Sequence, residues 1–254
     1  MAAPNFGNWI RIRIPLTHLA IGAALAGLGV WLGDSSWRWL AWAAAVVPIG
    51  IGGFLLYVYW AFAGGVQRRL WDLVLDSLAW DGQGEALDIG TGQGGVILNL
   101  LARHPVARGV GVDLWAADWD YSRVACQRNA EAMGLADRVR FERASAAELP
   151  FADGAMAAVV SHFVFHEVKD GGGTRAALHE AIRVLKPGGA LAVQDMFLDR
   201  RLYGDIPALV AQLQAWGLAD VRFARLADLT AIPWGMNGRR VLGHAGLITA
   251  RKPA

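Results

Sequence analysis

Leu87-Asp88-Ile89-Gly90-Thr91-Gly92-Gln93-Gly94-Gly95 is the stretch on which the fold turns. A short apolar run leads into a cluster of glycines, and a helical pattern over 94–104 follows. Glycine is needed there because only a residue without a Cβ turns so tightly and lets a ligand approach the backbone. Asp113 closes the next apolar run, about 20 residues on, where a carboxylate is placed to accept hydrogen bonds from ribose hydroxyls. The spacing leaves two classes of nucleotide ligand open, since Gly90, Gly92 and Gly95 also satisfy the dinucleotide pattern GxGxxG. Asp88 separates them: a carboxylate two residues before the first glycine repels a pyrophosphate and attracts an amine or sulfonium cation.

Outward from this turn, short apolar runs alternate with helical patterns. Strands are expected at 86–89, 109–113, 139–142, 158–162, 190–195, 221–224 and 243–249, and helices at 94–104, 121–133, 174–185 and 206–216. Alternation of this kind predicts an α/β domain over 85–254, built on a doubly wound, seven-stranded, mainly parallel sheet.

Ahead of it the character differs. No Asp, Glu, Lys or Arg occurs in 14–33 or in 39–66, stretches of 20 and 28 residues. Both are long enough to cross a hydrocarbon core of ~30 Å. The sequence predicts a transmembrane helical hairpin, with spans at about 14–33 and 39–63, as an anchor over 1–66. A cleaved signal peptide for the first stretch and a buried core helix for the second are the alternatives. Gly22, Ala26, Gly29 and Val30 offer small positions for close helix approach. Arg11 and Arg13 precede the hairpin, Arg68 and Arg69 follow it, and its connection holds only Arg38 beside Asp34. That asymmetry predicts a multi-pass membrane protein with both ends, and the α/β domain, in the cytoplasm. Residues 67–84 read as an amphipathic linker helix with Leu70, Leu73, Val74, Ser77 and Leu78 on one face.

Composition removes other classes. The 254 residues are 55% hydrophobic and 18% charged, which argues against disorder. A net charge of +2 without a long basic run gives no footprint for nucleic acid. Cys126, the single cysteine, excludes a disulfide framework and a Cys-rich zinc site. No metal centre is expected.

Three further features join the glycine turn and Asp88: Ala144-Ser-Ala-Ala-Glu-Leu-Pro-Phe151-Ala-Asp-Gly154, Leu185-Lys-Pro-Gly-Gly189, and two strand-like segments around Val221 and Leu247 at the end. With them the chain, over roughly 85–252, resembles the class I S-adenosylmethionine (SAM)-dependent methyltransferases, in particular the type 11 group. The resemblance implies a seven-stranded sheet with the last strand inserted antiparallel, and SAM as cofactor. It implies that Asp88, Gly90, Gly92 and Gly94 hold the methionine part and Asp113 the ribose. Leu114 would pack on the adenine, Ser145 and Ala146 would edge it, and Ser161 would lie beside the methionine moiety. Two positions depart from the family pattern: Ser145 and Ala157 stand where acids are usual. The longer turn from Trp115 to Tyr121 sets Trp115 to flank the adenine, cover the pocket, or serve as a hydrophobic anchor.

By the same resemblance His166 and Glu167, after the fourth strand, lie near the transferring methyl, as chemical bases or as shaping residues. Met196, Phe197 and Leu198, with 231–236, are the expected acceptor wall. Their apolar character favours a small, lipophilic acceptor, and an enzyme tethered to a lipid bilayer meets such molecules at high local concentration. The function expected is a membrane-anchored SAM-dependent methyltransferase. A membrane-tethered NAD(P)-dependent oxidoreductase and a non-catalytic SAM-binding protein are the alternatives.

Overall fold

All seven apolar runs expected as strands enter one sheet in the computed structural model, which describes residues 3–116, 121–239 and 241–254. The strands are β1 (Glu85–Ile89), β2 (Arg108–Asp113), β3 (Val139–Arg143), β4 (Met156–His162), β5 (Leu185–Asp195), β6 (Ala219–Arg225) and β7 (Gly246–Arg251). Their order is β3-β2-β1-β4-β5-β7-β6, with β1 to β5 parallel and β7 antiparallel to both neighbours. The order reverses between β1 and β4, which opens a crevice beyond the carboxyl ends of these strands. Ile89, Asp113, His162 and Asp195 end β1, β2, β4 and β5 at that edge.

The inner parallel strands β1, β2 and β4, with β5 from Ala190 onward, are buried on both faces and read as near-continuous apolar runs, whereas the edge strand β3 alternates buried and exposed residues. Leu87, Ile89, Val159, Leu191 and Val193 face one core with α6 (Gly173–Val184) and α8 (Ile206–Ala215). Ala86, Ala158, Val160 and Ala192 face the other, with α3 (Gln67–Ser77), α4 (Gly95–Arg103) and α5 (Arg123–Ala132). Two short helices, α7 (Arg200–Tyr203) and α9 (Leu226–Leu229), follow β5 and β6.

Some limits move for local reasons. The helix expected at 121–133 starts at Arg123, because the Ser122 hydroxyl caps it by accepting the Ala125 N–H at 3.1 Å. The last strand, expected at 243–249, begins later and runs to Arg251. Residues 242–245 are held in turns by Gly243 N–H to Gly238 and Ala245 N–H to Leu242 bonds, while Arg251 pairs with both Ala190 and Ala219. The buried face of α3 is Leu70, Trp71, Val74 and Leu75, with Leu78 just beyond, and not the expected row through Leu73 and Ser77. The bulky indole of Trp71 rotates that face.

The chain divides into two compact units, one of the segment up to Gly7 with Leu70–Ala254, the other Asn8–Arg69. The division falls inside α3, so residues 70–84, read from sequence as a linker, belong with the sheet. The second unit is a helical hairpin of α1 (Arg13–Trp31) and α2 (Trp37–Ala61), both long and apolar enough to cross a membrane. A π-helical turn, Phe62–Val66, with Gly65 at φ 115°, follows α2, so the regular helix stops at Ala61, short of the expected span to about 63. Glycines bring the pair close: a Cβ on Gly22 would lie 2.4 Å from Ile49, and one on Gly29 would lie 2.2 Å from the Trp42 ring. The Trp42 indole N–H donates to the Ala26 carbonyl at 3.2 Å. Val30 does not join this seam and is 71% exposed.

Candidate functional site

The glycine turn sits between β1 and α4 at the open crevice. Gly90, Gly92 and Gly94 have φ of 73°, 58° and 85°, the left-handed region, which side chains with a Cβ adopt only at a cost. The conformational pattern is therefore GxGxG. Gly95 is small for a different reason: its Cβ would stand 2.5 Å from the Trp71 ring. The N–H groups of Gly90 and Thr91 both donate to the Val112 carbonyl, at 2.8 and 2.9 Å, which pins the turn to β2.

Asp88 lies beneath this turn, buried. Its Oδ2 accepts from the Thr91 hydroxyl at 2.7 Å and from the Ile97 N–H at 3.3 Å, while Oδ1 has no protein partner. Burial pushes its pKa up to about 7; these two donors pull it down, and Asp113 nearby adds to the rise. Asp113 accepts the Gly92 N–H on Oδ2 at 2.9 Å and the Trp115 N–H on Oδ1 at 2.8 Å. Burial still raises its pKa above the usual range against those donors. Trp115, at φ 42°, turns its indole N–H onto the Gly92 carbonyl at 2.8 Å and so braces the glycine turn. Of the longer turn to Tyr121, residues 117–120 lie outside the described residues.

The other expected contacts divide. Leu114 presents its side chain outward beside Asp113 and is 42% exposed. The Ser145 hydroxyl donates to Asp170 Oδ2 at 2.7 Å, so a carboxylate from the loop after β4 stands beside the position where the sequence lacks one. Ala146 is buried in the core on the α6 side. Ser161 is fully buried, and its hydroxyl donates to the Ile89 carbonyl at 2.9 Å, tying β4 to β1. In the expected acceptor wall, Phe197 and Met236 are fully buried core residues, whereas Trp234 is 84% exposed.

Past β4, a short turn (Phe165–Glu167) carries His166 to the crevice. Its Nδ1 lies 2.6 Å from Asp195 Oδ1, and its Nε2 lies 3.5 Å from Glu167 Oε1. Asp195 is fully buried and accepts backbone N–H groups from Val164, Phe165 and His166 on Oδ2, at 3.1, 2.7 and 3.4 Å. Its Oδ1 also accepts the Met196 N–H at 2.6 Å. Oxygens that only accept assign the shared proton to Nδ1 and leave Nε2 as the acceptor. Burial works against a charge on His166, but the hydrogen bond and charge of Asp195, then the charge of Glu167, raise its pKa above the ordinary value. At His162, the end of β4, burial drives the pKa down to about 4, outweighing the raising effects of Gln194 and of the Asp195 charge. Sequence reading placed Asp195 only as a strand end. The available signal was an acid terminating an otherwise apolar run.

Residues 87–193 match a family model described as a methyltransferase domain. The chain is 41% identical over 127 residues to a demethylmenaquinone methyltransferase of Thermus thermophilus, covering 50% of this chain and 52% of that protein. It is 36% identical over 129 residues to a ubiquinone/menaquinone biosynthesis C-methyltransferase of Syntrophotalea carbinolica, and 31% identical over 185 residues to an erythromycin 3''-O-methyltransferase of Saccharopolyspora erythraea. These matches cover 51% and 59% of this chain and 51% and 55% of those proteins, so the chain spans about half the length of the curated relatives it matches. Among solved structures, a geranyl diphosphate C-methyltransferase from Streptomyces coelicolor superposes with a TM-score of 0.58 at 16% identity, over 87% of this chain and 85% of that one. An O-methyltransferase family protein from Burkholderia thailandensis gives 0.54 at 17% identity, over 96% and 72%. Both likenesses are of fold.

Proposed function

We propose that this chain, a member of the class I SAM-dependent methyltransferases, transfers a methyl group to a lipophilic acceptor bearing an ionisable hydroxyl, with His166 as the base. The observation that carries the proposal is the His166–Asp195 pair, an imidazole fixed by a buried carboxylate at the open edge of the sheet. The residues present fit SAM. Asp88 Oδ1, buried without a partner, is an acceptor for a cationic donor, and Asp113 stands at the strand end where ribose hydroxyls would be held. Gly90, Gly92 and Gly94 leave the turn free of side chains, and Leu114 offers an apolar face for the adenine. When bound, SAM supplies an electrophilic methyl carbon on a sulfonium sulfur.

The chain's own residues then act on the acceptor. His166 Nε2 takes the hydroxyl proton, and Asp195 stabilises the imidazolium that results while holding the ring in place. Glu167, half exposed, adds negative charge beside Nε2. For an aromatic acceptor, loss of that proton makes the oxygen and its ring carbons nucleophilic. The curated relatives named for menaquinone and ubiquinone favour a hydroxylated ring with an apolar tail. We place α1 and α2 across a bilayer, both ends cytoplasmic, on their length, composition and flanking arginines. In that arrangement the acceptor is drawn from lipid. The dinucleotide alternative has no support in the sheet, whose far side is the antiparallel β6–β7 pair and not a second nucleotide-binding half.

The test uses the full chain with labelled SAM and a membrane lipid extract, with mass spectrometry identifying the lipid that gains one CH2. At saturating SAM, the acidic limb of kcat/KM for the acceptor should rise with pH through the raised pKa of His166, because the base must be neutral. His166→Gln should lower kcat by roughly 10²–10⁴ and remove that limb. Asp195→Asn should move the limb to lower pH. Full activity with an unaltered limb in His166→Gln overturns the assignment.

A further inference from the structure

The segment ahead of the first apolar helix packs beside the glycine turn. Asn129, buried on α5, accepts the Asn5 N–H on Oδ1 at 2.8 Å and returns a bond from Nδ2 to the Asn5 carbonyl at 2.9 Å. The same Nδ2 donates to the Gln93 carbonyl at 2.9 Å. One side-chain amide therefore ties two backbones together, the start of the chain and the centre of the glycine turn. The Gly7 N–H donates to Asn5 Oδ1 at 3.0 Å, and a Cβ on Gly7 would approach Gln93 Nε2 to 3.0 Å and Tyr121 to 3.4 Å. Tyr121 in turn lies 3.5 Å from where a Cβ on Gly92 would stand. Phe6 packs edge-on against Trp71 at 5.4 Å between ring centres, and Trp71 is the ring that covers Gly95. Residues 5–7 thus border Gln93 directly, Gly92 through Tyr121 and Gly95 through Trp71.

We propose that Asn5, Phe6 and Gly7 are positioning residues of the cofactor site, a strap that holds the glycine turn in its left-handed conformation before SAM arrives. This rests on the reading of that turn as the SAM site. Glycine reaches the left-handed region without strain but loses more conformational freedom than any other residue when it is fixed, so a loosened turn must be ordered again at the expense of binding free energy. The strap is separated in sequence from the turn by the whole α1–α2 hairpin. A protein cut to begin at Leu70 loses it together with the apolar helices. Weaker SAM use by such a fragment would then report the lost strap and not the lost membrane.

The test is made on the full chain in lipid nanodiscs, with S-adenosylhomocysteine as titrant in calorimetry. Deletion of residues 2–6 should weaken its Kd by about tenfold or more and raise KM for SAM, with kcat little changed. Amide exchange of residues 91–95 in the ligand-free chain should speed up, while the thermal midpoint stays near that of the intact chain. Should the deletion unfold, Asn5→Pro with Phe6→Ala removes the N–H and the ring contact within the full length, and the same Kd and exchange changes are expected. Unchanged Kd and exchange in a folded strap variant overturn the proposal and leave the SAM site standing. No binding by the intact chain overturns the SAM site itself.

Discussion

Asp88 shows how much a single carboxyl determines. With its pKa near 7 in the free chain, it gives up a proton when a sulfonium or ammonium group arrives, since a cation lowers a neighbouring carboxyl's pKa. Binding is therefore linked to proton release. SAM affinity should rise with pH up to about 7 and level off above it, falling by at most about tenfold per pH unit on the acid side. Asp88→Asn should bind more weakly at neutral pH and lose this slope, as calorimetry across pH 5.5–8 (an interval of about this width brackets the transition) would show. A slope that survives the substitution would remove Asp88 from contact with the ligand's charge. Asp88, Asp113 and the glycines were legible in the sequence because strand, turn and helix are contiguous and their chemistry is local. Asp195 and Asn129 were not. Asp195 acts on residues 29 to 31 positions away, and Asn129 on partners 36 and 124 positions away. No spacing rule reaches across the fold in that way. The partner of the Ser161 hydroxyl, a carbonyl 72 residues earlier, lies beyond such a rule as well.

The elements were legible to within a few residues, since apolar runs buried on two faces and helical periodicity are strong patterns. What escaped was settled by single contacts: the Ser122 cap, the turns before β7, the Trp71 ring on α3. The start of α4 is the most exacting of these junctions. The sequence left GxGxG and GxGxxG both open, and the backbone decides, because Gly94 caps α4 at φ 85° while Gly95 is ordinary helix. Gly94→Ala should thus lose roughly 1–2 kcal/mol from left-handed strain. Its new Cβ would come nearest the flexible end of Leu98, at 3.2 Å, with the Phe141 ring in ordinary contact at 3.5 Å, so the chain still folds. Urea unfolding measures the loss. A stability equal to that of the intact chain would mean the turn relaxes out of the left-handed region without cost, and would weaken the case for a rigid cofactor cradle.

At the scale of the molecule, the apolar hairpin is set within the sequence of the unit that carries the sheet, between Gly7 and Leu70. The hairpin itself was plain from two uncharged stretches. Its insertion was not, because residues 3–7 form too short a segment to carry any periodicity. The proposed topology has both helix ends on the cytoplasmic side and the turn at Asp34-Ser35-Ser36 outside. Cys126 is the chain's single cysteine and is buried; burial drives its pKa up to about 12, so it resists maleimide labelling. Ser35→Cys in the full chain is then a reporter with little background. In intact bacterial spheroplasts, a membrane-impermeant maleimide should label Ser35→Cys, whereas Asp81→Cys, just past α3, should react only after lysis. Carbonate washing should leave the protein in the membrane fraction. Equal labelling of both positions before and after lysis, or release by carbonate, would mean that the hairpin does not span. The lipid route for the acceptor would fall with it, while the proposed cofactor site, whose residues all belong to the other unit, would stand.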